Sequence, residues 1–210
     1  MKKIIMFLMA LCLLVPTIDA QNKQLEKKRK QEYKTKMKGY NKDGWKLFGS
    51  SRSLDVALLT HYDKLNNLGE EGYEVVGIAS KFKSKNVGHQ MAINNACTTY
   101  AQEAGSYVKG RIVSDMAGDG TDAEGEFDHF YAAYERLVEK EIKGELQESY
   151  SVIRDNSDGT FELQSYFIVN ESAATKARIR AMENAAKESE AAQKYAQKVA
   201  DFAREGFHQE

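Results

Sequence analysis

The sequence predicts an α+β fold: a small mixed sheet packed by amphipathic helices, with a C-terminal β-hairpin followed by a long C-terminal helix. Three observations predict it. Several segments repeat apolar residues at helical spacing and are separated by short apolar or alternating runs. Two alternating runs flank the turn-forming stretch Asp155-Asn156-Ser157-Asp158-Gly159. From Ser172 to about Gly206 the chain is rich in alanine and charge, with no breaker.

Residues 1–20, "MKKIIMFLMALCLLVPTIDA", read as a signal peptide. Lys2 and Lys3 precede an apolar run from Ile4 to Val15, and Pro16 breaks that run before a small-residue cleavage site after Ala20. The run is short of the ~20 residues a membrane span requires. Cleavage would start the mature chain at Gln21 and place the protein in the periplasm or at the outer membrane. It would leave Cys97 as the sole cysteine and remove the sole proline. The chain carries 30 basic and 31 acidic residues, a balance that argues against a dedicated nucleic-acid binder. A single cysteine excludes an intramolecular disulfide framework.

Residues 21–44 form a basic arm: eight of the sixteen residues from Lys23 to Lys38 are Lys or Arg, with almost no apolar stripe. It reads as a solvated helix or irregular arm. Lys27, Lys28, Arg29 and Lys30 would favour peripheral contact with an anionic membrane surface.

An α+β domain is expected over 45–170. "WKLFGSS" from Trp45 reads as a short strand. Ser53 can cap a helix on which Leu54, Ala57, Leu58, His61, Leu65 and Leu68 keep helical spacing. "GEEG" stops that helix, and "YEVVGIAS" from Tyr73 reads as an apolar strand. A helix is predicted from about Val87 to Ala104 and a further strand over "SYVKGRIVSDM". The acidic, glycine-rich "AGDGTDAEG" leads to a helix with Phe127, Phe130, Tyr131, Tyr134, Leu137, Val138 and Ile142 on one stripe. The hairpin "LQESYSVIR" and "TFELQSYFIV" follows. In the order β-α-β-α-β-α-β-β-α, helix-linked strands could pair in parallel and the last two antiparallel.

The final segment, 171–210, is expected to be one long helix. Its seam (Ala174, Ala181, Ala185, Ala192, Tyr195, Val199 and Phe202), interrupted by Arg178 and Glu188, suits packing on another helix of the same chain or of a second copy, giving a homo-oligomer.

From "YEVVGIAS" to "FIVNES" the chain resembles the LPP20-like family of bacterial envelope proteins. The resemblance is carried by a strand ending Gly77-Ile78-Ala79-Ser80 and a helix with Ala92, Ala96, Ala101 and Ala104. Another strand, an amphipathic helix, a hairpin with Asp158-Gly159-Thr160 at its turn and an apolar final strand complete it. It implies a small α+β domain, often borne by exported lipoproteins, with a role in binding or envelope organisation and no catalytic residues to transfer. The chain departs from the pattern at Cys12, which follows Leu11 inside the apolar run and makes a poor lipidation site.

Individual residues offer little catalysis. Cys97 has His89 upstream, but eight helical residues separate them by about 12 Å, far beyond the ~3 Å a nucleophile–base pair needs. Cys97 instead continues the stripe Ile93, Ala96, Tyr100, Ala101 and Ala104, as a small core residue. His61, His129 and His208 show no metal-ligand spacing. Tyr131, Tyr134, Tyr150 and Tyr166 suit a core better than a ligand groove. Asp115, Asp119, Asp122 and Glu124 are the residues that could hold a cation in the acidic segment 115–128, yet no register matches an EF-hand loop. No cofactor is expected. The reading is an exported, non-enzymatic envelope protein that presents its α+β domain and long helix to another envelope component. The alternatives are a small-ligand or cation binder using the acidic loop and, third, an envelope hydrolase.

Overall fold

A computed structural model describes residues 16–116, 123–189, 192–193 and 196–205. The chain divides into two units, Met1–Gly44 and Trp45–Glu210. Within the first, helix α1 spans Pro16–Asp43, so the backbone is helical across the expected cleavage point at Ala20. The four basic side chains Lys27, Lys28, Arg29 and Lys30 are exposed. No helix among the described residues is long and apolar enough to cross a membrane.

The second unit is α+β. Strand β1 (Lys46–Phe48) leads to α2 (Leu54–Leu68), whose first turn is capped by Ser53 accepting from the Val56 N–H at 3.3 Å. Gly69, at φ 59°, ends α2. Strand β2 (Gly72–Phe82) follows, then α3 (Lys85–Met116) and α4 (Ala123–Ile142). The hairpin β3 (Gln147–Asp155) and β4 (Phe161–Asn170) closes the sheet, followed by α5 (Glu171–Ala186) and α6 (Ala196–Glu205).

The four strands lie in the order β1-β3-β4-β2, and every neighbouring pair is antiparallel. The sheet is therefore not mixed: helices connect strands that never become neighbours. The hairpin turn forms as its residues require. Gly159 adopts φ 78°, and Asp158 accepts from the Thr160 N–H at 3.0 Å and its hydroxyl at 2.6 Å. The Thr160 hydroxyl and N–H hold the exposed Asp158 carboxyl below its usual range.

Two further expectations are corrected. The segment "SYVKGRIVSDM" is not a strand but the last third of α3, which runs unbroken for 32 residues. Its β-branched residues suggest a strand, yet Ala101, Ala104, Val108 and Ile112 are all buried and prolong the helical stripe of Ala96, Cys97 and Tyr100. Burial of that stripe overrides local propensity. The C-terminal helix is likewise not continuous to Gly206. It stops at Ala186 and turns at Lys187–Ser189, where the Ser189 hydroxyl accepts from the Ala192 N–H at 3.2 Å. The second piece, α6, folds back on α5. The alanine seam is thereby filled from within the chain: Ala174, Ala181, Ala185 and Ala192 are fully buried beside Val199 and Phe202.

One sheet face carries Val75, Gly77, Ala79, Leu163, Phe167 and Val169 against α3. The other carries Tyr150, Val152, Tyr166 and Ile168 toward α2. The outer edge of β2 is protected: Asn95 accepts from the Ile78 N–H at 2.8 Å, and a bulge with Lys81 at φ 55° bends the strand. Beyond the sheet, α3, α4, α5 and α6 pack together around Arg178, which is 1% exposed.

Candidate functional site

The residues first singled out by the sequence divide clearly. Cys97 is buried in α3, and burial pushes its thiol up to about 11. His89 lies one to two turns into α3 and pairs with Glu148 of β3 at 2.9 Å. The thiol thus lacks the lowered pKa that a nucleophile requires. Native protein should resist a thiol reagent such as dithionitrobenzoate at pH 8. In denaturant a chain cleaved after Ala20 should release one equivalent of chromophore, whereas an uncleaved chain, with Cys12, should release two. Fast native reaction would contradict the burial of Cys97.

The acidic segment falls largely outside the described residues. Asp119 and Asp122 lie there entirely; Asp115 and Glu124 belong to the backbones of α3 and α4, and their side chains are not described. Among the described residues no group of three or more His, Cys, Asp or Glu could hold a metal ion. The tyrosines do not form a groove together. Tyr131 and Tyr134 are in the helical core, while Tyr150 and Tyr166 are a cross-strand pair stacked at 4.5 Å. His61, fully buried on α2, meets the Tyr150 ring edge-on at 5.2 Å, and its Nε2 lies 2.6 Å from the Glu74 carboxylate.

A concave site does exist, at a place marked by no sequence motif. Strand β1 has three residues and pairs only with Ser151, Val152 and Ile153. Beyond Phe48 the chain turns away at Gly49, whose φ is 71°, so β3 from Gln147 to Tyr150 extends past its neighbour. A cleft of about 330 Å³ opens at this sheet edge. The β1–α2 connection contributes Ser50 and Arg52, α2 contributes Thr60 and Lys64, α3 contributes His89, and β3 contributes Glu148 to Ser151.

A hydrogen-bonded chain runs from this cleft into the sheet. His89 Nε2 meets the Glu148 carboxylate, which also accepts from the Ser151 hydroxyl. Ser151 in turn lies 2.8 Å from the Ser165 hydroxyl on β4. With its one proton given to Glu148, Ser151 accepts from Ser165. The Phe48 ring packs on His89, with centroids 5.5 Å apart. Glu148 and Ser151 reach the same face despite being three apart, because a bulge lies between Glu148 and Tyr150.

The order of that chain decides its chemistry. In a serine-nucleophile triad the imidazole stands between hydroxyl and carboxylate and takes the hydroxyl proton. Here the carboxylate stands in the middle, and Ser151 is 1% exposed. The arrangement positions Glu148 and satisfies buried hydroxyls; it does not activate a nucleophile. Sequence reasoning missed Glu148, Ser151, Arg52 and Lys64, because the cleft joins three regions distant along the chain, 47–64, 89 and 148–151. The available hint was polar residues, Glu148, Ser149 and Ser151, within an otherwise apolar hairpin.

These features define a class: an α+β domain with an antiparallel sheet, helices on both faces and a polar cleft at the sheet edge. No protein-family model, curated protein or solved structure matches the chain.

Proposed function

We propose that this chain is an exported binding protein of the cell envelope, not an enzyme, and that the cleft at the β1–β3 edge is its recognition site. The observation that carries the reading is the His89–Glu148–Ser151 order, which supplies fixed polar groups in a concave site without an activated nucleophile. The LPP20-like resemblance and the N-terminal signal-like segment support the envelope setting. The exposed Lys27–Lys30 cluster supports peripheral contact with anionic lipid, at roughly 1 kcal/mol per basic residue near such a surface.

Ser50→Trp should fill the mouth of the cleft, since Ser50 is exposed and lines it. Crosslinked envelope fractions should yield a defined partner with the unaltered chain and with Lys176→Trp on the exposed side of α5, and lose it with Ser50→Trp. The melting temperatures of both variants should stay near that of the parent. Equal partner recovery with Ser50→Trp would refute the assignment of the cleft.

A further inference from the structure

We infer that the cleft takes a monoanionic carboxylate group, an inference that rests on its being the recognition site. The charged groups lining it are Arg52, Lys64, His89 and Glu148. Two of them are already committed to each other: Glu148 is held by hydrogen bonds with His89 and Ser151, which occupy its acceptor oxygens. The other two are cations. Arg52 and Lys64 are exposed, and among the described residues neither side chain has an ion-pair or hydrogen-bond partner.

The cleft therefore offers uncompensated positive charge beside a carboxylate that is internally satisfied. A cationic ligand would face Arg52 and Lys64 with no free carboxylate to receive it. A neutral ligand would leave both cations unused. A guanidinium and an ammonium together suit an anion, the first through its planar fork and the second as a point charge. Two cations beside one carboxylate leave an excess of one positive charge among Arg52, Lys64 and Glu148, so one negative charge fits better than two. At about 330 Å³ the cleft lies at the small end of ligand sites. That size suits a small organic acid or the terminal residue of a peptide, the two sources of the same carboxylate chemistry.

The experiment titrates the full ¹⁵N-labelled chain and its Arg52→Gln and Lys64→Gln variants with four probes. These are N-acetylalanine, an acetylated alanine tripeptide with a free C-terminus, the same tripeptide as its C-terminal amide, and inorganic phosphate. The expected result is saturable shifts at the Gly49, Ser50 and Ser149 amides with the two acids and none with the amide. Each variant should weaken acid binding by about fivefold, the upper end for a single exposed charge pair. Raising the salt concentration should weaken it as well. Tighter binding of the tripeptide acid than of N-acetylalanine would assign the carboxylate to a chain end; equal binding would assign it to a free acid. Tighter binding of phosphate would overturn the monoanion assignment. Equal binding of amide and acid, unchanged in the variants, would overturn the role of charge while leaving the cleft as the binding site. No shift with either acid at millimolar concentration would also overturn the inference. The partner recovery lost with Ser50→Trp would then still stand on its own.

Discussion

Replacing Gly77 by alanine is expected to cost about 3 kcal/mol or more, a large penalty for a single methyl group. Gly77 is buried in the middle of β2, on the face toward α3. A Cβ there would stand 1.9 Å from the Ala92 carbonyl oxygen, 2.8 Å from its carbon and 3.0 Å from the Ala96 Cβ. The first two atoms belong to a helix backbone, which cannot swing aside as a flexible side chain would. Either α3 lifts off the sheet or β2 bends, and both open the core that Ala79, Ala92 and Leu163 fill. For a domain of this size the melting temperature should fall by about 6–12 °C. Gly110 supplies the control. It lies within α3, and a methyl group added there would meet nothing within 4 Å. Gly110→Ala should therefore raise stability by up to about 1 kcal/mol through helix propensity alone. A harmless Gly77→Ala would mean that α3 does not approach β2 so closely.

Removing Arg178 should be comparably severe. Its guanidinium lies among the helices, donating to the Ala203 carbonyl of α6 at 3.0 Å, the Tyr100 hydroxyl of α3 at 2.6 Å and Thr175 of α5 at 2.8 Å. It also pairs with Glu171 at the start of α5. The Tyr100 hydroxyl and the Glu171 carboxylate keep Arg178 charged in spite of its burial, and desolvation raises the Tyr100 hydroxyl in turn. Arg178→Ala leaves Glu171 without its partner and an Ala203 carbonyl without its donor. Loss of one member of a buried pair costs about 3–5 kcal/mol. Because the Ala203 bond ties α6 to α5, amide exchange over Ala196–Glu205 should accelerate more than exchange in β3 and β4. Combining Arg178→Met with Glu171→Gln should recover part of the loss, since the uncompensated charge is then gone. An Arg178→Ala protein with parental stability and uniform exchange would contradict this role.

The two residues also show what the sequence could and could not reveal. Local signals were reliable: Ser53 caps α2, Asp158 and Gly159 make the hairpin turn, and the aromatic stripe of α4 is buried. Where tertiary packing competed with local preference, packing prevailed. Val108 and Ile112 look like strand residues but complete the buried face of α3. The turn after Ala186 contains neither Gly nor Pro, and it forms because α6 gains an apolar surface on α5 and a hydrogen bond from Arg178. Arg178 itself reads in the sequence as an interruption of an alanine seam, yet it is the polar tie within that seam. Cys97 was legible as a core residue from its neighbours at three and four positions. His89 was legible as no partner of Cys97, but its pairing with Glu148, 59 residues away, was not. The cleft stayed hidden for the same reason: it depends on β1 being three residues long and paired with β3, a long-range register.

The most direct test of recognition at the sheet edge is site-specific photocrosslinking in cells. A photoreactive residue at Ser50, in the cleft, is compared with the same residue at Lys176, exposed on α5. Recognition in the cleft predicts a discrete adduct from Ser50 and none from Lys176. An adduct from Lys176 with none from Ser50 would place recognition on the helical face and contradict the assignment.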